Sequence, residues 1–102
     1  MNQAIKKAQQ FVTLARNAGV LVVNASVFGS WAKGRGTADS DIDVCVVSPN
    51  FGKDYIEEMV ELRKIALKVD SRIEPIPFTP QDLSDSYGTL ATEIRKHSIA
   101  LK

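Results

Sequence analysis

The chain has 102 residues, and its 13 basic and 12 acidic side chains leave a formal net charge of +1. That length matches one domain, since domains run to about 100–200 residues, and a hydrophobic share of 44% is enough to bury a small core. The even charge balance argues against direct nucleic-acid binding, which normally draws on a basic excess along one face. Cys45 is the one cysteine, which excludes an internal disulfide and a cysteine zinc cluster and fits a reducing compartment. Residues 1–16 lack the continuous apolar stretch of a signal peptide, and no run reaches the roughly 18–20 apolar residues of a membrane span. The expectation is a single cytoplasmic domain over 1–102, with no membrane partner.

The first element reads as a helix. Ile5, Ala8, Phe11, Val12, Leu14 and Ala15 recur at three- and four-residue spacing, which gathers them on one stripe, and Gly19 is the expected stop because it tolerates a left-handed backbone. A β-branched strand follows over 20–28, ending at Gly29. After a glycine-rich turn, a second strand over 42–47 is too continuously apolar to face water on one side. Residues 48–52 carry turn chemistry. Tyr55, Met59, Leu62, Ile65, Ala66 and Val69 then mark a second helical stripe.

A third strand over 72–78 contains Pro75 and Pro77. Amides two residues apart point the same way, so both missing donors fall on one side, and the strand belongs at or near a sheet edge. Thr79-Pro80 reads as an N-cap followed by proline at the first helical position. Tyr87, Leu90, Ala91 and Ile94 mark a last helix, and residues 99–101 form a short apolar tail. The order α-β-turn-β-α-β-α defines an α+β class, an α/β two-layer arrangement in which helices pack a small mixed sheet.

The chemistry concentrates in 29–43. Residues two apart on a strand share a face, so Asp41 and Asp43 project together with Cys45 and Val47, while Ile42, Val44 and Val46 face the other layer. Two adjacent carboxylates repel unless a cation or a proton relieves them. Oxygen-only donors on a short strand suit magnesium, which commonly binds through one or two carboxylates plus substrate phosphates. The plain alternative is that Asp39-Ser40-Asp41 caps a turn and Asp43 is solvated at a strand end. Ahead of the pair, Gly29-Ser30 and Gly34 can present amides and a hydroxyl to an anion. A Walker A loop fails because Arg35 and Gly36 follow Gly34, and a dinucleotide fingerprint fails at Asp39.

Gly29-Ser30, ten intervening residues, then Asp41-Ile42-Asp43 resembles the signature of the DNA polymerase β-like nucleotidyltransferase superfamily. Gly34, Ser40 and the apolar strand after Asp43 match its usual minimal form, and the short chain resembles the minimal nucleotidyltransferase (MNT) half of HEPN/MNT toxin–antitoxin pairs. The resemblance implies the fold of that superfamily and a Mg²⁺-dependent transfer of a nucleoside monophosphate from ATP to an acceptor hydroxyl. It assigns nucleotide binding to Gly29, Ser30 and Ser40, with Lys33 or, alternatively, Arg35 assisting, and metal binding and catalysis to Asp41 and Asp43. It also calls for a third carboxylate on a neighbouring strand, for which Glu74 is the candidate, in place of the family's Asp, and Asp70 the alternative.

The acceptor implied by the resemblance is a tyrosine of a HEPN ribonuclease, which makes the chain an antitoxin. A module that neutralises its partner by contact alone, and a small-molecule nucleotidyltransferase acting as an oligomer, are the competing expectations. The remaining reactive side chains carry less. His97 near a helix C-terminus suits the helix dipole, and Cys45 suits a buried small hydrophobe. Trp31 is expected to pack, with stacking on a base as the alternative. Tyr55 and Tyr87 are expected in the core or at its rim.

Overall fold

The structure, a computed structural model, describes residues 2–102. Helix α1 (Gln3–Asn17) starts at Asn2, whose side chain accepts from the Ile5 amide, and it buries Ala4, Ala8, Phe11, Val12 and Ala15. Gly19 adopts a positive φ of 97°, as the expected stop requires. Strand β1 (Asn24–Phe28) is shorter than the β-branched run suggested. The Val22 amide bonds back to the Val20 carbonyl, which folds the connection on itself and leaves Leu21 and Val23 exposed. Strand β2 (Ile42–Val47), helix α2 (Tyr55–Ala66) and strand β3 (Ile73–Phe78) follow as expected, although α2 ends three residues before the apolar stripe does.

The last part of the chain departs more from expectation. It contains two helices, α3 (Pro80–Ser84) and α4 (Thr89–His97), and a short strand β4 (Ile99–Ala100). Thr79 and Asp82 form a reciprocal capping box that starts α3. Extended backbone at Asp85 ends it, and Arg95 of α4 donates to the Leu83 and Asp85 carbonyls across the break. Tyr87 lies in that break and is 95% exposed, so it belongs neither to the core nor to its rim. The apolar tail found a use as β4, antiparallel to β1.

The sheet order is β3-β2-β1-β4, with β1 and β2 antiparallel and β2 and β3 parallel. β3 is an edge, as its prolines require. The Arg72 and Phe78 carbonyls accept from Ile42 and Ser48, so the even-numbered residues address β2 and both proline nitrogens face outward. One sheet face carries Ile42, Val44 and Val46 against Phe11, Val12, Leu62 and Ala66 of α1 and α2. The other carries Phe28, Cys45 and Val47 against Ile94 of α4, with Leu83 of α3 packed at its margin. This second covering reaches Cys45 and stops short of the beginning of β2. Among the described residues no helix is long and apolar enough to cross a membrane.

Asp70 and Arg72 lock the turn from α2 into β3. The Asp70 carboxylate accepts from the Arg72 amide, Nε and Nη2 at 2.9–3.0 Å, and Arg72 Nη1 donates to the Ala38 carbonyl at 2.9 Å. The guanidinium first, then the amide, hold the Asp70 carboxyl down at about 2. A carboxyl depressed in the folded state adds stability above its unfolded pKa of about 3.9 and loses it as pH falls through the folded value. In urea titrations the unfolding midpoint should therefore drop as pH falls from about 4 to about 2. Asp70→Asn should lower the midpoint near neutral pH and flatten that acid drop.

Candidate active site

The turn after β1 is a single helical turn. Lys33, Gly34 and Arg35 donate to the carbonyls of Gly29, Trp31 and Ser30 at 3.2, 3.3 and 2.9 Å, and Gly34 ends the turn with a φ of +74°. The first amides of such a turn have no partner within it. Trp31 packs inward: a Cβ on Gly36 would come within 2.2 Å of the indole ring, and the indole N–H is buried without a hydrogen-bond partner. Its expected packing role holds. Ser30 is exposed at the start of the turn.

Gly29 brings this turn directly onto the carboxylates. Its φ is +73°, and a Cβ there would sit 2.4 Å from Asp43 Oδ2. Only a residue without a side chain allows both the left-handed backbone and that approach. Asp43 pairs in register with Phe28 on one side and Glu74 on the other, and paired residues share a face. Asp41 stands exposed just before β2, and Asp43 is half-buried one step inside it. Burial first, then the charges of Asp41, Glu74 and Glu93, push the Asp43 carboxyl above its ordinary range.

Two of these acidic residues already have counter-ions. Arg63 of α2 meets Glu74 at 2.6 Å and also donates to the Ile73 carbonyl on the outer edge of β3. Lys33 in the turn meets Glu93 of α4 at 2.6 Å. The expected residues thus collect at one end of the sheet: Gly29, Ser30 and Lys33 in the turn, Asp41 and Asp43 on or beside β2, and Glu74 on β3. Ser40 bonds within its own loop. Its hydroxyl accepts from the Thr37 amide and lies 3.1 Å from the Thr37 hydroxyl, so it shapes the loop that delivers Asp41. Asp70 is occupied by Arg72. Cys45 is buried, and burial first, then the Asp82 charge, push its thiol up to about 12, far from the reactive thiolate range.

Sequence reasoning missed Glu93, Arg63 and Arg72. Each lies outside the motif, on a helix surface or at a strand boundary, where a single charged residue is ordinarily solvated. The contacts that matter join residues up to 60 positions apart, and no local pattern announces them. A hollow of about 370 Å³ bounded by Gly19, Phe51, Leu62 and Ile65 lies beyond the opposite end of β2 and is separate from the carboxylates.

The nucleotidyltransferase domain family matches residues 7–95, and the chain belongs to that family. It is similar, at 36% identity over 67 residues, to a Methanocaldococcus jannaschii protein provisionally named a protein adenylyltransferase. The match takes in 62% of this chain and 46% of that protein, so the chain spans less than half of that relative. In fold it is similar to a protein from Sulfolobus solfataricus provisionally named a nucleotidyltransferase, with a TM-score of 0.72 at 17% identity over 96% of this chain and 78% of the other. A toxin–antitoxin structure with AMP-PNP follows at a TM-score of 0.70 and 23% identity, covering 93% of this chain and 72% of its own. A variant of the MntA-HpeT toxin–antitoxin pair gives 0.66 at 20% identity, over 93% and 71%. The superfamily fold expected from the motif is the fold observed.

The donor set fits a hard divalent cation. It consists of carboxylate oxygens, the ligands magnesium prefers, and their mutual repulsion is relieved by positive charge. Among the described residues no three such groups already converge as a metal cage, in keeping with Glu74 being held by Arg63.

Two substitutions test this arrangement. Gly29→Ala should destabilise the fold by about 1–2 kcal/mol for the left-handed backbone alone, seen as a lower urea midpoint, and should displace Asp43. Asp43→Asn should do the opposite to stability. It removes a carboxylate whose charged form the folded state disfavours, so the midpoint near neutral pH should rise. A fall would show that neither burial nor the neighbouring charges strain Asp43.

Proposed function

We propose that the chain is a Mg²⁺-dependent adenylyltransferase that moves AMP from ATP to a tyrosine hydroxyl of a HEPN-domain partner and thereby acts as an antitoxin. The observation that carries this reading is Asp43 flanked by Asp41 and Glu74 and pressed against the bare backbone of Gly29. It sets a helical turn, whose first amides have no partner within it, beside a carboxylate cluster. Support for the adenine nucleotide and for a protein acceptor comes from the relatives: one is provisionally named a protein adenylyltransferase, and another was crystallised as a toxin–antitoxin with AMP-PNP.

In this reading Gly29 and Ser30 bind the β- and γ-phosphates, with Lys33 assisting and Ser40 shaping the loop. Asp41 and Asp43 hold the cation, and Glu74 joins them once it leaves Arg63. A bound magnesium ion would neutralise charge on the phosphates and acidify the acceptor hydroxyl. The acceptor oxygen forms a bond to the α-phosphorus while the bond from that phosphorus to the oxygen bridging to the β-phosphate breaks. Pyrophosphate leaves with the bond electrons. The hydroxyl proton passes to Glu74, the carboxylate available beside the Asp pair, and then to solvent. The main chain of the turn keeps the triphosphate in line for that displacement, which is where most of the rate advantage of phosphoryl transfer resides.

The test is to incubate the protein with the HEPN-domain product of a neighbouring gene, ATP and Mg²⁺, and to weigh both chains. The partner should gain one adenylyl group, with the modified tyrosine located by fragmentation. Asp41→Asn combined with Asp43→Asn should abolish the gain, and Glu74→Gln should slow it by about 10²-fold or more. Neutralisation of the partner by the double variant, with no mass change, would establish inhibition by contact instead.

A further inference from the structure

The Lys33–Glu93 pair bridges two elements that the motif does not connect. Lys33 lies in the turn after β1, and Glu93 projects from α4, whose Ile94 is anchored in the core beneath the sheet. Both side chains are about one-third exposed, at 36% and 32%, so solvent and an arriving anion can reach the contact. Glu93 is also near enough to Asp43 to contribute to the rise of its carboxyl pKa. Lys33 is therefore the charge that keeps a fourth carboxylate from adding its full repulsion to the cluster.

We propose that Glu93 is a positioning residue for the nucleoside triphosphate: it holds Lys33 in the free protein and yields it to the phosphates on binding. This rests on the reading that the turn binds a nucleoside triphosphate. The exchange has a thermodynamic consequence. A triphosphate carries several negative charges against the single charge of Glu93, so it wins Lys33. The transfer then leaves Glu93 without its counter-ion on the margin of the acidic cluster. A divalent cation arriving with the nucleotide compensates that loss. Nucleotide and cation binding are coupled through one lysine that can serve either carboxylate or phosphate, and coupling of this kind is reciprocal. An ion pair that merely fastened α4 to the turn would affect stability and leave that coupling unchanged.

The experiment is calorimetric titration of ATP into the wild type and Glu93→Gln, once in EDTA and once with Mg²⁺. Glutamine keeps the shape of the side chain, and thermal melts of both proteins check that the fold persists. In EDTA, Glu93→Gln should bind ATP about two- to fivefold more tightly, the range an exposed pair of this kind supports. The tightening conferred by Mg²⁺ should shrink by the same factor. Lys33→Met should weaken ATP binding, and adding Glu93→Gln in that background should bring at most a marginal gain. An unchanged affinity in EDTA, or an equal gain with and without Lys33, would overturn the proposal, the latter by reducing Glu93 to general charge repulsion. Failure of the wild type to bind ATP under either condition would instead refute nucleotide binding by the turn.

Discussion

The cost of ionising Asp43, half-buried and surrounded by like charges, is the constraint to which the rest of this small structure answers. A folded chain gains nothing by half-burying Asp43 and setting Asp41, Glu74 and Glu93 close enough to raise its cost of ionisation further. The mixed sheet makes the arrangement unavoidable. Parallel pairing puts Glu74 level with Asp43, and the glycine turn between the antiparallel strands β1 and β2 brings the Gly29 backbone against the same carboxylate. The apolar layers on either face of β2 then hold these positions by burial, with Ile42 and Val44 packed to one side and Cys45 to the other. Covering by α4 ends before Asp43, so the strained group stays open to ligand.

Two cationic side chains make the cluster tolerable without filling it. Arg63 and Lys33 each sit 2.6 Å from one carboxylate, on long flexible stems and in partial contact with solvent. Such pairs contribute little net stability and can be broken at small cost. Arg72 differs from them. It binds Asp70 through a fork of hydrogen bonds and reaches Ala38, tying the start of β3 to the loop that leads into Asp41. The lasting attachment lies outside the cluster, and the exchangeable ones lie within it.

Much of this was legible from local pattern. The Gly29-Ser30 to Asp41-Ile42-Asp43 spacing, the alternation along β2 and the two prolines of β3 each express a constraint within a few residues, and the structure met all three. Glu74 is preferred to Asp70 because it falls inside a strand, and the register sets it level with Asp43. Other features depended on distant contacts. The break between α3 and α4 is held by Arg95, the tail became a strand only because the edge of β1 was open, and Glu93 gained significance from a lysine in another element. Tyr87 was misjudged because an aromatic residue at helical spacing resembles a core position until the helix proves to begin after it.

The central claim is that the carboxylates at the head of β2 form a site completed by a divalent cation. Side-chain carboxyl ¹³C NMR, with pH titrations of Asp43 in the absence and presence of Mg²⁺, tests it most directly. The account predicts that Asp43 titrates above the ordinary carboxylate range in the free protein and that saturating Mg²⁺ moves it below that range. An Asp43 titration that is ordinary without Mg²⁺, or that Mg²⁺ leaves unmoved, would contradict it.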